Sequence, residues 1–163
     1  MIPRDYVDEV INGLFEDAVD PKISVVGVGG AGGNVVSALY DRDLKGVETV
    51  AVNTDPAGLS RSEADFKLLL SHVEGDDRIA AARTSAEGSE AYLKDTLSSD
   101  IVFVVAGLGG AAGTGAAPVV ARVARANGAV TIGIGIVPFD SEGRSETAKQ
   151  GLEELRSEAD SVI

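Results

Sequence analysis

The sequence predicts one α/β domain, built as a doubly wound, mostly parallel sheet with helices on both faces. Short apolar runs alternate along the chain with patterns of helical period, which is typical of parallel strands joined by helical crossovers. Hydrophobic residues make up 44% of the 163 residues, which is enough for a sizeable core. Two glycine clusters each follow an apolar run and precede a helical pattern, so both clusters should lie at the carboxyl ends of strands.

In the first 97 residues, the sequence pattern predicts an N-terminal helix, three strands and two further helices. Apolar residues at helical spacing predict an amphipathic helix over residues 5–19. Thr84 and Glu87 have the spacing of a capping box, which predicts a helix over residues 85–97. The other predictions are strands at residues 23–28, 48–52 and 66–70, a helix at 34–40, a turn at 53–56 and a loop at 74–78.

The second half continues the alternation. A central buried strand is predicted over residues 100–106, and a helix over 116–127 with Pro118 in its first turn and Gly128 as its stop. A strand at 129–137, a helix at 145–158 and the start of a strand at 161–163 follow. The expected organisation is therefore an N-terminal helix in residues 1–20 and one domain in residues 21–163.

Composition excludes several functional classes. The net charge of −12, from 14 basic and 26 acidic residues, repels nucleic acid, so no nucleic-acid partner is expected. Without cysteine there is no disulfide or thiolate metal site, and a single histidine cannot form a histidine cluster. No apolar run is long enough to span a bilayer and the N-terminus lacks the pattern of a signal peptide, so we expect a cytoplasmic protein without direct membrane insertion. The acidity fits a high-salt cytoplasm and an ordinary acidic protein equally well.

The two glycine clusters have the composition of phosphate-binding loops. The first carries the pattern G-x-G-x-x-G at Gly27, Gly29 and Gly32, and the second spans residues 107–115. A helix N-terminus offers unpaired N–H groups and a partial positive charge, and glycine lets an anion come close. No Lys or Arg lies between Val102 and Val120, so backbone dipoles and a Mg²⁺ carried in with a nucleotide would have to balance the phosphate charge. The Walker-type Gly-Lys-Ser/Thr loop is absent.

Three segments together resemble the FtsZ branch of the tubulin superfamily. They are residues 26–34, 50–55 and 106–120, and the similarity runs in order from Ile23 to Ile163. The resemblance implies binding of GTP or GDP, with Mg²⁺ carried by the nucleotide, and association with itself or with a full-length FtsZ homologue. The nucleotide-binding residues it implies are Gly29, Gly30, Asn34, Asn53, Asp55, Gly109, Gly110, Ala111, Ala112, Gly113, Thr114, Gly115, Glu142 and Arg144.

The chain also departs from that family. Ala111 and Ala112 replace a usual Gly-Thr pair, which removes a hydroxyl and adds a methyl group. Asp76 and Asp77 lie in an acidic segment where they would repel a terminal phosphate unless they face solvent or a metal, and Glu146 occupies the place of a usual basic residue. The family's acidic catalytic loop and second domain do not appear in this sequence. We therefore identify no catalytic residue, and we expect weak or absent GTP hydrolysis and a role as a regulator or partner of cell-division filaments.

Two other functions remain open from the residues alone. A dinucleotide-binding module for NAD fits Gly27, Gly29 and Gly32, but Asn53 stands near the place of the acid that would bind the ribose, and the second glycine cluster has no role in it. A non-catalytic interaction module that has lost nucleotide binding would dock through residues 5–19 or through a sheet edge.

Overall fold

In the described part of the chain, six parallel strands form a single sheet. The computed structural model describes residues 20–71, 74–139 and 143–163, so the predicted helix at residues 5–19 lies outside the described residues. The strands are β1 Ile23–Val28, β2 Val47–Asn53, β3 Phe66–Leu69, β4 Ile101–Gly107, β5 Val130–Ile136 and β6 Ser161–Val162. Their order across the sheet is β3-β2-β1-β4-β5-β6, and every pairing is parallel. This order is that of a doubly wound sheet, and it confirms the predicted fold class.

Helices cover both faces of the sheet. They are α1 Gly29–Tyr40, α2 Pro56–Arg61, α3 Arg78–Gly88, α4 Glu90–Thr96, α5 Ala111–Ala126 and α6 Ser145–Glu158. On one face, valines of the central strands are fully buried against α3 to α6, for example Val26, Val50 and Val104. On the other face, Val25 and Val105 pack with Val36 of α1. Among the described residues, no helix is both long and apolar enough to cross a membrane.

The winding direction of the sheet changes between its two central strands. The chain builds β1, β2 and β3 outward in one direction, then returns to place β4 on the other side of β1 and continues outward with β5 and β6. The last paired residues of the two central strands are Val28 and Ala106. Both glycine clusters therefore leave the sheet side by side at its switch point, which is where open α/β sheets bind ligands.

Local packing corrects several predicted helix boundaries. The helix predicted over residues 85–97 is wrong, because two helices occupy the region and the first begins at Arg78, capped by Asp77 rather than by Thr84. The segment predicted as a turn at 53–56 continues into the short helix α2. Helix α5 begins within the second glycine cluster, which places Pro118 inside the helix rather than in its first turn. The predicted stop at Gly128 is confirmed by its positive φ of 92°.

Candidate functional site

The two glycine clusters contact each other above the central strands. A Cβ atom built on Gly29 would lie 3.2 Å from the backbone nitrogen of Gly113 and 3.3 Å from the Cβ of Ala112. Gly29 has a positive φ of 75°, which a residue with a side chain rarely adopts. The first turns of α1 and α5 therefore form one continuous backbone surface at the switch point.

Many of these glycines serve packing rather than ligand access. A Cβ on Gly27 would approach the carbonyl oxygen of Gly32 to 2.1 Å, and one on Gly32 would approach that of Val105 to 2.4 Å. A Cβ on Gly113 would lie 2.2 Å from the carbonyl oxygen of Gly107. These positions let the helices sit directly on the strands. Gly30 differs, because it is exposed and a Cβ on it would meet nothing within 4 Å.

Both helices begin without a side-chain cap. Neither Val28, before α1, nor Gly110, before α5, makes a side-chain capping hydrogen bond, and neither helix has an acidic residue in its first turn. The first N–H groups of a helix have no acceptor within the helix itself. Two partially positive helix ends, free of protein carboxylates, therefore meet at one place.

A cavity of about 420 Å³ lies between these helix ends and the end of β5, and we call it the glycine-loop cavity. One wall is backbone from the two glycine clusters, and the opposite wall is apolar, formed by residues 136–139. Arg144 also lines it and brings a positive charge. The cavity thus combines an apolar wall with a backbone surface suited to an anion.

A second cavity of about 480 Å³ lies on the other side of Ala111, and we call it the outer cavity. Its charged lining residues are Asp55, Glu74 and Arg78. Ala111, the first residue of α5, lines both cavities, so this residue lies at the boundary between them.

Half of the predicted binding residues come together at one site. Those that line the glycine-loop cavity are Gly29, Gly30, Gly110, Ala111, Ala112, Gly113 and Arg144. They arrive from three segments of the chain that are distant in sequence, and the parallel order of the strands brings them to the same edge. Glu142 lies outside the described residues.

Three predicted residues of the second cluster shape the loop itself. Thr114 is 3% exposed, and its hydroxyl oxygen accepts a hydrogen bond of 2.8 Å from the N–H of Gly109. Gly109 has a φ of 90°, and a Cβ there would lie 3.1 Å from the Cβ of Arg144. A Cβ on Gly115 would lie 2.2 Å from the carbonyl oxygen of Ile79, so this glycine lets α3 pack on α5. Gly109, Thr114 and Gly115 line neither cavity.

The residues predicted after β2 organise the turn into α2. Asn53 is 6% exposed, and its side-chain oxygen accepts a hydrogen bond from the N–H of Asp55. The Asp55 carboxylate caps α2 by accepting the N–H groups of Ala57 and Gly58 at 3.1 and 2.9 Å. Asp55 lines the outer cavity, whereas Asn34 is exposed on α1 and lines neither cavity.

Both aspartates of the acidic segment before α3 are exposed, and one of them caps the helix. Asp77 accepts hydrogen bonds from the N–H groups of Ile79 and Ala80, so its charge is used to cap α3. Asp76 lines neither cavity. Glu74 and Arg78, which the sequence pattern did not single out, are the charged residues of this segment that line the outer cavity. The cap at Asp77 is the local signal that could have located them, because it fixes where α3 begins.

The described residues offer no preformed metal cage. Among residues 20–71, 74–139 and 143–163, no three His, Asp or Glu side chains are grouped closely enough to hold a metal ion. A divalent cation at this site would therefore depend on oxygen atoms of a bound ligand, as Mg²⁺ commonly does with phosphate groups.

These features define a doubly wound α/β domain with a candidate phosphate site at its switch point. The profile of the Tubulin/FtsZ family, GTPase domain, matches residues 22–163. The chain belongs to this family.

Relatives and solved structures agree with this assignment. The chain is similar to cell division protein FtsZ 2 of Haloferax volcanii, at 42% identity over 98% of this chain and 43% of the relative. It is 41% identical to cell division protein FtsZ of Methanothermobacter thermautotrophicus, over 96% of this chain and 43% of that protein. An empty FtsZ dimer from M. jannaschii superposes with a TM-score of 0.84 at 36% identity, over 99% of this chain and 48% of that one. The chain thus spans less than half the length of these proteins.

Proposed function

We propose that this chain binds a guanine nucleotide, GTP or GDP, in the glycine-loop cavity and acts as an FtsZ-like component of cell division. The observation that carries the proposal is the meeting of two uncapped helix N-termini, α1 and α5, against a cavity of nucleotide size. Ligand cavities typically enclose about 300–1,000 Å³, and this one encloses about 420 Å³.

The phosphates would lie against the backbone of the two helix ends. Gly30 and Gly110 leave room there, because a Cβ at either position would meet no atom closer than 3.5 Å. Free N–H groups and helix dipoles stabilise negative charge at this place. Arg144 adds a side-chain cation at the same cavity, and Mg²⁺ would arrive with the nucleotide.

The nucleoside would lie toward the end of β5. Residues 136–139 form an apolar wall there, and Phe139 is 81% exposed. Aromatic and apolar surfaces of this kind stabilise a ribose or a base by stacking and by burial of apolar area. This arrangement also sets the direction of the bound molecule, with its phosphates pointing toward Ala111.

The same residues argue against NAD as the ligand. In a dinucleotide site, an acid at the end of the second strand binds the ribose. Here Asn53 is buried within the turn, and the carboxylate of Asp55 is already used as a helix cap.

We further propose that this chain hydrolyses GTP weakly or not at all by itself, and that it works with copies of itself or with a longer FtsZ homologue. The support is that the charged residue among the described lining of the glycine-loop cavity is a cation, Arg144, and that the Asp55 carboxylate of the adjoining outer cavity is already engaged in capping α2. The role is therefore that of a nucleotide-holding partner of division filaments.

Calorimetric titration of the purified chain tests the binding proposal. Separate titrations with GDP, GTP, ATP and NAD, each with Mg²⁺, should show saturable binding for the guanine nucleotides and much weaker binding for the other two. Tighter binding of NAD than of both guanine nucleotides would favour the dinucleotide alternative. Absence of binding by all four would overturn the proposal in favour of an interaction module.

A further inference from the structure

We propose that the site is selective for a nucleoside diphosphate over a triphosphate, and that Ala111, Asp55 and Glu74 set this selectivity. The inference rests on the proposed function, because it specifies which guanine nucleotide the glycine-loop cavity holds. Its basis is the boundary between the two cavities and the charge of the outer one.

Ala111 lies where a third phosphate of the proposed nucleotide would have to pass. Ala111 is the first residue of α5 and lines both the glycine-loop cavity and the outer cavity. A nucleoside held against residues 136–139 directs its phosphates across the glycine-loop cavity toward this residue. In the orientation proposed above, a diphosphate would end at this boundary, whereas a third phosphate would pass Ala111 and enter the outer cavity.

The outer cavity carries an unfavourable charge for that third phosphate. Two carboxylates, those of Asp55 and Glu74, line it together with one cation, Arg78. The Asp55 carboxylate is held in place by the N–H groups of Ala57 and Gly58. A terminal phosphate would therefore meet a net negative lining, and the exposure of these side chains makes the repulsion modest and dependent on salt.

The packing of α3 on α5 keeps this lining next to Ala111. The carbonyl oxygen of Ile79 lies so close to Gly115 that a Cβ there would come within 2.2 Å of it. Arg78 directly precedes Ile79, so the start of α3 cannot move away from α5 without losing this contact. The charged groups of the outer cavity thus stay near the terminal end of a bound nucleotide.

Competition titrations with a fluorescent GDP analogue test the proposal on the whole chain. The wild-type protein should bind GDP about tenfold more tightly than GTP, the order of selectivity that one misplaced methyl group produces. Ala111→Gly should reduce that preference to about threefold or less, since the boundary is then open. Ala112→Gly is the matched control, because Ala112 lines only the glycine-loop cavity and its change should alter both affinities by the same factor.

Glu74→Gln is a second variant, which tests the charge without altering α5. It should also reduce the preference for GDP, and by more in low salt than in high salt. Equal or tighter binding of GTP by the wild type would overturn the inference. So would an Ala111→Gly variant that is folded by thermal denaturation and keeps the wild-type ratio. If the wild type binds neither GDP nor GTP, there is no ratio to measure, and the proposed function itself fails.

Discussion

Four of the described helices that begin near the carboxyl edge of the sheet, α1, α2, α3 and α5, differ in how their N-termini are satisfied. Helices α2 and α3 are capped by Asp55 and Asp77. The carboxylate of each cap accepts hydrogen bonds from backbone N–H groups of the first turn. Helices α1 and α5 have no side chain that accepts a hydrogen bond from their first turn, and their first turns contain no acidic residue. The same partial positive charge is thus neutralised by the protein at two helices and left available at the other two.

The uncapped helix ends mark the place where this domain can bind an anion. A capping Asp stabilises a protein by about 1 kcal/mol, so helices without one forgo stability of that size. Among the described helices, α4 and α6 also lack a side-chain cap, but each carries an acidic residue in its first turn, Glu90 or Glu146. Helices α1 and α5 have neither a cap nor such an acid, and they meet at the switch point and line one cavity. An anion bound there would supply the missing acceptors. Three sets of variants test this division: a new cap on α5, alanine substitutions in the first glycine cluster, and removal of the cap from α3.

The largest expected effect is on nucleotide binding. Gly110→Asp would place a carboxylate at the N-cap of α5, where the backbone φ of −89° and ψ of 153° suit Asp and the nearest atom to a new Cβ is 3.5 Å away. The carboxylate should occupy the N–H groups and repel phosphate, which should weaken guanine-nucleotide binding by about a hundredfold or more while the fold is kept. Titration calorimetry measures the loss.

Gly110→Asn is the control for this variant. It supplies a neutral cap of the same shape, so it competes for N–H groups without repelling the phosphates, and its binding loss should be clearly smaller. Equal affinity for GDP in the Asp variant and the wild type would contradict the assignment of this helix end to phosphate.

The second prediction compares the stability effects of two alanine substitutions in the first glycine cluster, one at a closely packed glycine and one at a glycine that faces open space. Gly32→Ala should lower the free energy of unfolding by about 1–3 kcal/mol, because its Cβ would lie 2.4 Å from the Val105 carbonyl oxygen and the helix would have to shift. Gly30→Ala should leave stability nearly unchanged, because a Cβ there meets no atom within 4 Å. Urea denaturation of both variants compares them, and similar losses at the two positions would refute the division.

The smallest expected effect is on the capped helix α3. Asp77→Ala should lower the free energy of unfolding by about 1 kcal/mol, since it removes the acceptor for the N–H groups of Ile79 and Ala80. Asp76→Ala removes the same charge from the neighbouring exposed residue and is the control, with little expected change. If both variants unfold at the wild-type urea concentration, Asp77 does not stabilise α3.

Sequence patterns located the strands well because each strand is a short apolar run between polar or glycine-rich residues. The central strand predicted at residues 100–106 is Ile101–Gly107 in the structure, and the helix predicted at 145–158 has those bounds. The sequence prediction missed the start of α3 because Asp77 and Thr84 are both residue types that cap helices. The contact of Ile79 with Gly115 on α5, which joins segments distant in sequence, favours the earlier start.

In the candidate site too, some features follow from the local sequence pattern and others only from packing. That glycine-rich segments follow two buried strands is a property of the chain's local pattern, and this pattern alone indicates the residues around Gly30 and Gly110. Local pattern could not distinguish them from Gly32 or Gly115, because the distinction depends on which atoms of other segments lie within 4 Å. The sequence pattern also did not predict the outer cavity, because Asp55, Glu74 and Arg78 come together only through packing.

Hydrophobic period and backbone freedom are local properties of a chain, so the α/β alternation, the buried strands and the two glycine clusters are all readable from the residue order. The tertiary structure alone decided which strands are neighbours, which helix ends remain uncapped beside a cavity, and that Ala111 stands between two cavities. Those features depend on distances between segments far apart along the chain, and only the packed sheet sets such distances.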